Sequence, residues 1–212
     1  MTQPVVDAWI DLVCPWSRIG LTELQRAITA LGQPVTVHLH SYQIDPDAPA
    51  DYGLTTIDAL RANLGIDADR AEQMLDVVRD AGARVGLGFN FGIARGGNTT
   101  DAHRLLQLAA LHGRNLEVAL ALFRAHFEEG QLLADPATLT RIASDAGIPA
   151  AEVTAMLASD RFVDIVRDDE AQVTARGITG RPTFITNGHH ALTGEQTADV
   201  FRDALVQASA GC

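Results

Sequence analysis

The chain opens on a run in which apolar residues dominate, Val5, Val6, Ala8, Trp9, Ile10 and Leu12, with Asp7 and Asp11 interposed. The run reads as a strand over residues 5–12, although adjacent Trp9 and Ile10 break strict alternation. After Cys14 the period changes. Ile19, Leu21, Leu24, Ala27, Ile28 and Leu31 recur at helical spacing and Gly32 supplies a stop, so a helix is predicted from Cys14 to near Gly32. Pro34 leads into a second strand over 35–42, and Ile44-Asp-Pro-Asp-Ala-Pro49 is loop chemistry. Helical patterns then follow one another over 56–64, 67–83, 99–111, 116–129, 136–146, 150–157 and 162–176. Asn98 with Asp101, and Asp135 before Pro136, mark helix starts. Residues 85–97 are Gly-rich and irregular. Near the end, Pro182 enters a short strand, Asn187-Gly188 makes a turn into a second strand, and a last helix is expected from about Thr193-Gly194. The order is strand, Cys, helix, strand, a long helical interval, then Pro, strand, turn, strand, helix. This is an α/β chain with a helical insertion.

Cys14 sits where the first strand pattern gives way to the first helix pattern, in Val13-Cys14-Pro15-Trp16-Ser17-Arg18. A thiol at a helix start meets unpaired backbone N–H groups and the positive end of the helix dipole, and both favour the nucleophilic thiolate. Pro15 fits the first helical turn, where its missing N–H costs nothing. The alternative is a buried structural cysteine. Trp16 is expected to be partly exposed, a flat apolar wall beside the sulfur.

Four segments follow in order over nearly the whole chain: Asp11-Leu-Val-Cys-Pro-Trp-Ser-Arg-Ile-Gly20, Asn98-Thr-Thr-Asp-Ala-His-Arg104, Gly180-Arg-Pro-Thr-Phe-Ile-Thr-Asn-Gly188, and Leu192-Thr-Gly-Glu-Gln196. In this combination the chain resembles the DsbA-like oxidoreductase family, its FrnE-type branch in particular. The resemblance implies a thioredoxin-like fold, with residues 1–44 and 177–212 as the core and 45–176 as a large all-helical insertion. It implies Cys14 as nucleophile and Ser17 as its hydrogen-bonding neighbour. Pro182 would shape the substrate loop through an X-Pro bond able to be cis. Pro15, Trp16, Arg18, Arg181 and Thr183 would line the substrate site, with Asn98 and His103 facing Cys14 across a cleft. Members of this family usually carry a second cysteine where this chain has Ser17. A Ser cannot resolve a mixed disulfide, so Cys14 would act as a monothiol. The other cysteine, Cys212, is terminal and is read as incidental, with a resolving role as the alternative.

Composition narrows the partners. With 212 residues, 47% hydrophobic, the chain can bury a full core. Net charge is −11, and residues 45–176 carry 21 acidic against 12 basic residues, so nucleic acid and anionic membrane are poor partners. No segment has the pattern of a secretory signal or a membrane span, and with only two cysteines a reducing cytoplasm is expected. Arg18 and Arg181 would lie near Cys14, favouring its thiolate or receiving the carboxylate of an anionic thiol. Asp11 opposes them, as a negative charge that raises the thiol pKa, unless it serves as a proton acceptor.

Weaker signals are set aside. Gly86–Gly92 has the wrong spacing for a dinucleotide loop. His38 and His40, and the pair His189-His190, lack a third ligand at metal spacing, so no metal is expected. No tightly bound cofactor is expected either; glutathione or another low-molecular-weight thiol is the co-substrate, and a homodimer is compatible with this reading. Three functions compete: monothiol thiol–disulfide exchange, a glutathione-type isomerase or transferase, and a noncatalytic binding or chaperone-like module. The related isomerase branch typically has Ser where this chain has Cys14, which places exchange first.

Overall fold

The computed structural model describes residues 3–210. β1 (Val5–Ile10) ends two positions before its apolar run does, because Asp11 turns the chain. The Asp11 carboxylate accepts the N–H of Val13 and its carbonyl accepts that of Cys14, both at 3.1 Å. α1 (Pro15–Leu31) starts at once, with Pro15 in its first turn, and ends at Gly32, whose φ of 68° lies in the left-handed region. β2 (Thr36–Ser41) returns parallel to β1, with Ala8 opposite Leu39.

Seven helices separate β2 from β3: α2 (Thr56–Leu64), α3 (Ala68–Arg84), α4 (Thr100–Leu111), α5 (Asn115–Phe127), α6 (Pro136–Asp145), α7 (Ala150–Leu157) and α8 (Val163–Ala175). Their starts follow local chemistry. Thr55 caps α2, Asp67 caps α3, and Asp135 caps α6 through the N–H groups of Ala137 and Thr138. β3 (Thr183–Thr186) and β4 (His190–Thr193) form a hairpin, and α9 (Ala198–Ala210) closes the described chain. The sheet order is β2-β1-β3-β4, with β3 antiparallel to β1 and β4 antiparallel to β3.

The long interval is thus a helical insertion in a thioredoxin-like α/β core. One hydrophobic cluster runs through both, joining Val6, Ile10 and Phe184 of the core to Leu105, Phe123 and Ile142 of the insertion. The insertion and the α/β layer therefore share one continuous core. The expected start of the last helix is corrected: Thr193 stays in β4, where its hydroxyl meets that of Thr183 at 3.2 Å, and Gly194 turns the chain at φ 74°. α9 begins at Ala198, whose N–H donates to the Glu23 carboxylate of α1 at 2.6 Å. That carboxylate, far away in sequence, supplies the negative charge that a helix N-terminus favours.

Candidate active site

Cys14 is the N-cap residue of α1, with extended backbone angles (φ −92°, ψ 115°), and is 5% exposed. Burial pushes its thiol up and is the largest influence on it. The neighbouring N–H groups of Ser17 and Trp16 and the Ser17 hydroxyl pull the other way, while the charge of Asp11 adds to burial. The balance is upward, which corrects the expectation of a thiolate stabilised by the helix start and two arginines. The helix start does help; it is outweighed by desolvation. Ser17 is fully buried, and its Oγ accepts the backbone N–H of Asp11 at 3.3 Å, which ties the hydroxyl to the end of β1.

Arg18 is turned away from the sulfur. Its guanidinium is buried over the Phe89 and Phe127 rings, donates to the Gly88 carbonyl at 2.8 Å and pairs with Glu128. Its placement as a substrate contact is corrected: it ties α1 to the insertion. Thr183 is likewise 2% exposed, with its hydroxyl donated to the Gly180 carbonyl at 2.7 Å, so its side chain holds the loop before β3 instead of meeting substrate.

Pro182 is buried and follows a cis peptide bond. It packs on α1 at Gly20, where an added Cβ would lie 2.9 Å from the Phe184 ring and 3.1 Å from Pro182 Cγ. This close approach lets the loop sit against the helix that carries Cys14. The Pro182 carbonyl accepts the N–H of Gly194 at 2.8 Å. Among the described residues, neither the backbone N–H nor the C=O of Arg181 is engaged, while its guanidinium stacks over Tyr42 at 4.0 Å. Pro15 and Trp16 are half-buried beside Cys14.

The insertion contributes from the other side. His103 of α4 is 1% exposed, with Nε2 lacking a hydrogen-bond partner and 3.8 Å from Asp11 Oδ1. Asn98 donates to the carbonyls of Pro46 and Ala48 at 3.2 and 3.1 Å and accepts the Thr100 N–H, so it braces the loop after β2. The sequence reading missed His126 of α5, buried in the apolar run Ala125-His126-Phe127, and Glu170 of α8, hidden in the acidic run 168–170. Burial drives His126 down to about 4, with the Asp11 charge opposing and the Arg18 charge adding. Glu170 is raised by burial, with the Asp11 charge adding, although it accepts the Gln43 N–H and feels His103 and Arg181. A lone polar residue on an apolar helix face was the available signal for His126; an acidic run gives none for Glu170. Among the described residues no group of three or more His, Cys, Asp or Glu is placed to hold a metal ion. A cleft of about 530 Å³ opens against Asp11 and Val13, walled by Ile44, Ala48, Tyr52 and Leu54.

The family model for the DSBA-like thioredoxin domain matches residues 5–206. The chain belongs to this family. A solved structure described as a probable DsbA oxidoreductase, SCO1869 from Streptomyces coelicolor, is 31% identical with a TM-score of 0.89, covering 99% of this chain and 92% of its own. An uncharacterized protein of Bacillus subtilis (strain 168), YwbO, is 24% identical over 94% of both chains. The cytosolic disulfide reductase DsbM from Pseudomonas aeruginosa shares the fold, at 18% identity and a TM-score of 0.61, covering 98% of each chain. Membership makes this a DsbA-like thioredoxin-domain protein. No described helix is long and apolar enough to cross a membrane.

Proposed function

We propose that this DsbA-like protein is a thiol–disulfide oxidoreductase that works as a monothiol in a reducing compartment. The observation that carries the reading is Cys14 at the N-cap of α1, beside the buried Ser17 and with no second thiol in the turn. In the first step Cys14 attacks one sulfur of a disulfide: its S–S bond to that sulfur forms, the substrate S–S bond breaks, and the thiol proton ends on the released thiol. In the second step an external low-molecular-weight thiol attacks the mixed disulfide and releases Cys14 as a thiol. No net oxidant is needed, because one disulfide is exchanged for another.

Burial of Cys14 supports one direction. A site that stabilises its thiolate favours its reduced form and is a strong oxidant as a disulfide. Here desolvation and Asp11 destabilise the thiolate, which favours exchange and reduction over oxidation. DsbM, of the same fold, was solved with GSH, which supports an external thiol as partner. The free backbone of Arg181 before cis Pro182 gives an extended substrate one N–H and one C=O to pair with.

The test is adduct trapping on a Cys212→Ser background. With hydroxyethyl disulfide, intact mass should rise by one adduct at Cys14, excess thiol should remove it, and Cys14→Ser should be inert. Absence of any adduct on the folded protein would remove the exchange reading.

A further inference from the structure

We infer that His103 of α4 is a positioning residue for Cys14: its Nε2–H faces the Asp11 carboxylate and offsets the negative charge which that group puts on the neighbouring sulfur. This rests on the exchange reading above, in which Cys14 must ionise to attack. Asp11 sits at the centre of the turn that carries Cys14. Its carbonyl accepts the Cys14 N–H, and its own N–H donates to Ser17 Oγ. Its carboxylate accepts the N–H of Val13 at Oδ1 and that of Ile44 at Oδ2. The group that holds the turn is thus also the charge that opposes ionisation of the thiol. Asp11 is buried, so water screens that charge little.

Among the described residues, His103 is the one basic or imidazole side chain within ion-pair distance of Asp11, its Nε2 lying 3.8 Å from Oδ1. His103 is buried as well, and that nitrogen has no hydrogen-bond partner. Its neighbour decides where the hydrogen sits. A carboxylate only accepts, so a bare Nε2 would set lone pair against lone pair in a dry interior, whereas Nε2–H presents the positive end of a dipole. The other charged groups leave this role open. His126 of α5 also feels Asp11, but burial holds it at about 4, so its ring is neutral near pH 7. Arg18 is committed to Glu128 and the Gly88 carbonyl. Arg181 acts on Glu170 from the loop before β3. Glu170 of α8 brings a second carboxylate to the same place: it accepts the N–H of Gln43, next in the chain to the Ile44 N–H that Asp11 accepts. His103 acts on Glu170 too. One imidazole therefore answers two carboxylates, one from the end of β1 and one from α8.

The experiment follows alkylation of Cys14 by iodoacetamide against pH on the Cys212→Ser protein, which reads ionisation without any disulfide. His103→Leu should slow the reaction near pH 7 by about threefold and move the midpoint up, the effect of one lost hydrogen-bond donor. His103→Gln, which keeps an N–H close to the place of Nε2, should restore most of the rate. In Asp11→Asn there is no charge to offset, so adding His103→Leu should change the rate little. Nitrogen NMR of the protein with His103 in place gives a readout that no folding defect can confuse. The ring signal that disappears in His103→Gln should show hydrogen on Nε2. A bare Nε2 near pH 7, an unchanged rate in His103→Leu, or a slowing undiminished in Asp11→Asn overturns the inference. Each of these leaves the exchange reading standing as long as hydroxyethyl disulfide still forms its adduct at Cys14. Absence of that adduct removes the exchange reading instead, and the alkylation series tells the two failures apart.

Discussion

At Cys14, three groups within a turn of one another set how hard the sulfur is to ionise. The pull of Ser17 and two N–H groups is weaker than the push of burial and Asp11. Three consequences can be measured by the pH dependence of alkylation in Cys212→Ser. The midpoint should lie above the free-thiol value of about 8.5, because the net shift is upward. Ser17→Ala removes a hydroxyl that favours the thiolate and should move the midpoint further up. Asp11→Asn should move it down, since a like charge is lost while an acceptor for the Val13 N–H remains. A midpoint below the free-thiol value would show that Asp11 and burial are not in control. Arg18 and Ser17 stand one residue apart and serve different ends: one side chain faces the sulfur, the other binds the insertion.

Single side chains set how elements meet. His40 on β2 faces carboxylates at both ring nitrogens, Asp169 of α8 at 2.6 Å and Asp7 of β1 at 3.0 Å. Carboxylates only accept, so this geometry requires a proton on each nitrogen, an imidazolium joining three elements. Burial alone lowers the His40 pKa, but its bonds to Asp169 and Asp7 outweigh that and the net shift is upward. Trp9 stacks on the ring at 4.4 Å, Arg176 sits over Trp9, and the His38 ring meets that of His40 edge-on. A raised pKa gives stability that is full below the ordinary histidine value of 6.5 and lost as pH rises through the raised value. His40→Gln should therefore cost about 2 kcal/mol near pH 6 and little near pH 9, read by urea denaturation. His126 has the opposite sign: its pKa is held near 4, so its stability is present above 6.5 and lost as pH falls towards 4. His126→Leu should shift the acid-unfolding midpoint to lower pH. Equal losses at both pH values for His40→Gln would mean that it acts by packing alone. At the α1–β3 contact, Gly20→Ala should lower Tm by several degrees and slow Cys14 adduct formation, because the Cβ drives Pro182 and Phe184 off the helix.

Across the whole molecule, Arg18 is one tie between the helix that carries Cys14 and the insertion. Its guanidinium spans from α1 to the Phe89 loop and to Glu128 just beyond α5. Arg18→Ala removes packing between two aromatic rings and leaves a carbonyl unmatched. Since Glu128 is 39% exposed, part of the ion-pair energy is screened, and a loss of about 2–3 kcal/mol is expected, roughly 5–10 °C in Tm. A drop below about 1 kcal/mol in chemical denaturation would reduce Arg18 to a surface charge. One shared core makes a single unfolding transition the expected outcome, with no separate melting of the insertion.

Periodicity along the chain was enough to order the elements, because each helix and strand is written in local apolar spacing, caps and turn residues. Cys14 at the start of α1, Pro182 before β3 and the Asn187-Gly188 turn were legible for the same reason. What needed the tertiary structure was everything decided by neighbours distant in sequence. Glu23 fixes where α9 starts, 175 residues away. Glu128 and the Phe89 and Phe127 rings, from the insertion, decide that Arg18 does not face the sulfur. The exposure of Cys14 decides the sign of its pKa, because a helix N-terminus is a property of sequence order and desolvation is a property of packing. Which charges line the cleft at Asp11 and Val13 was likewise settled only when the loop after β2 and the loop before α4 came together around it.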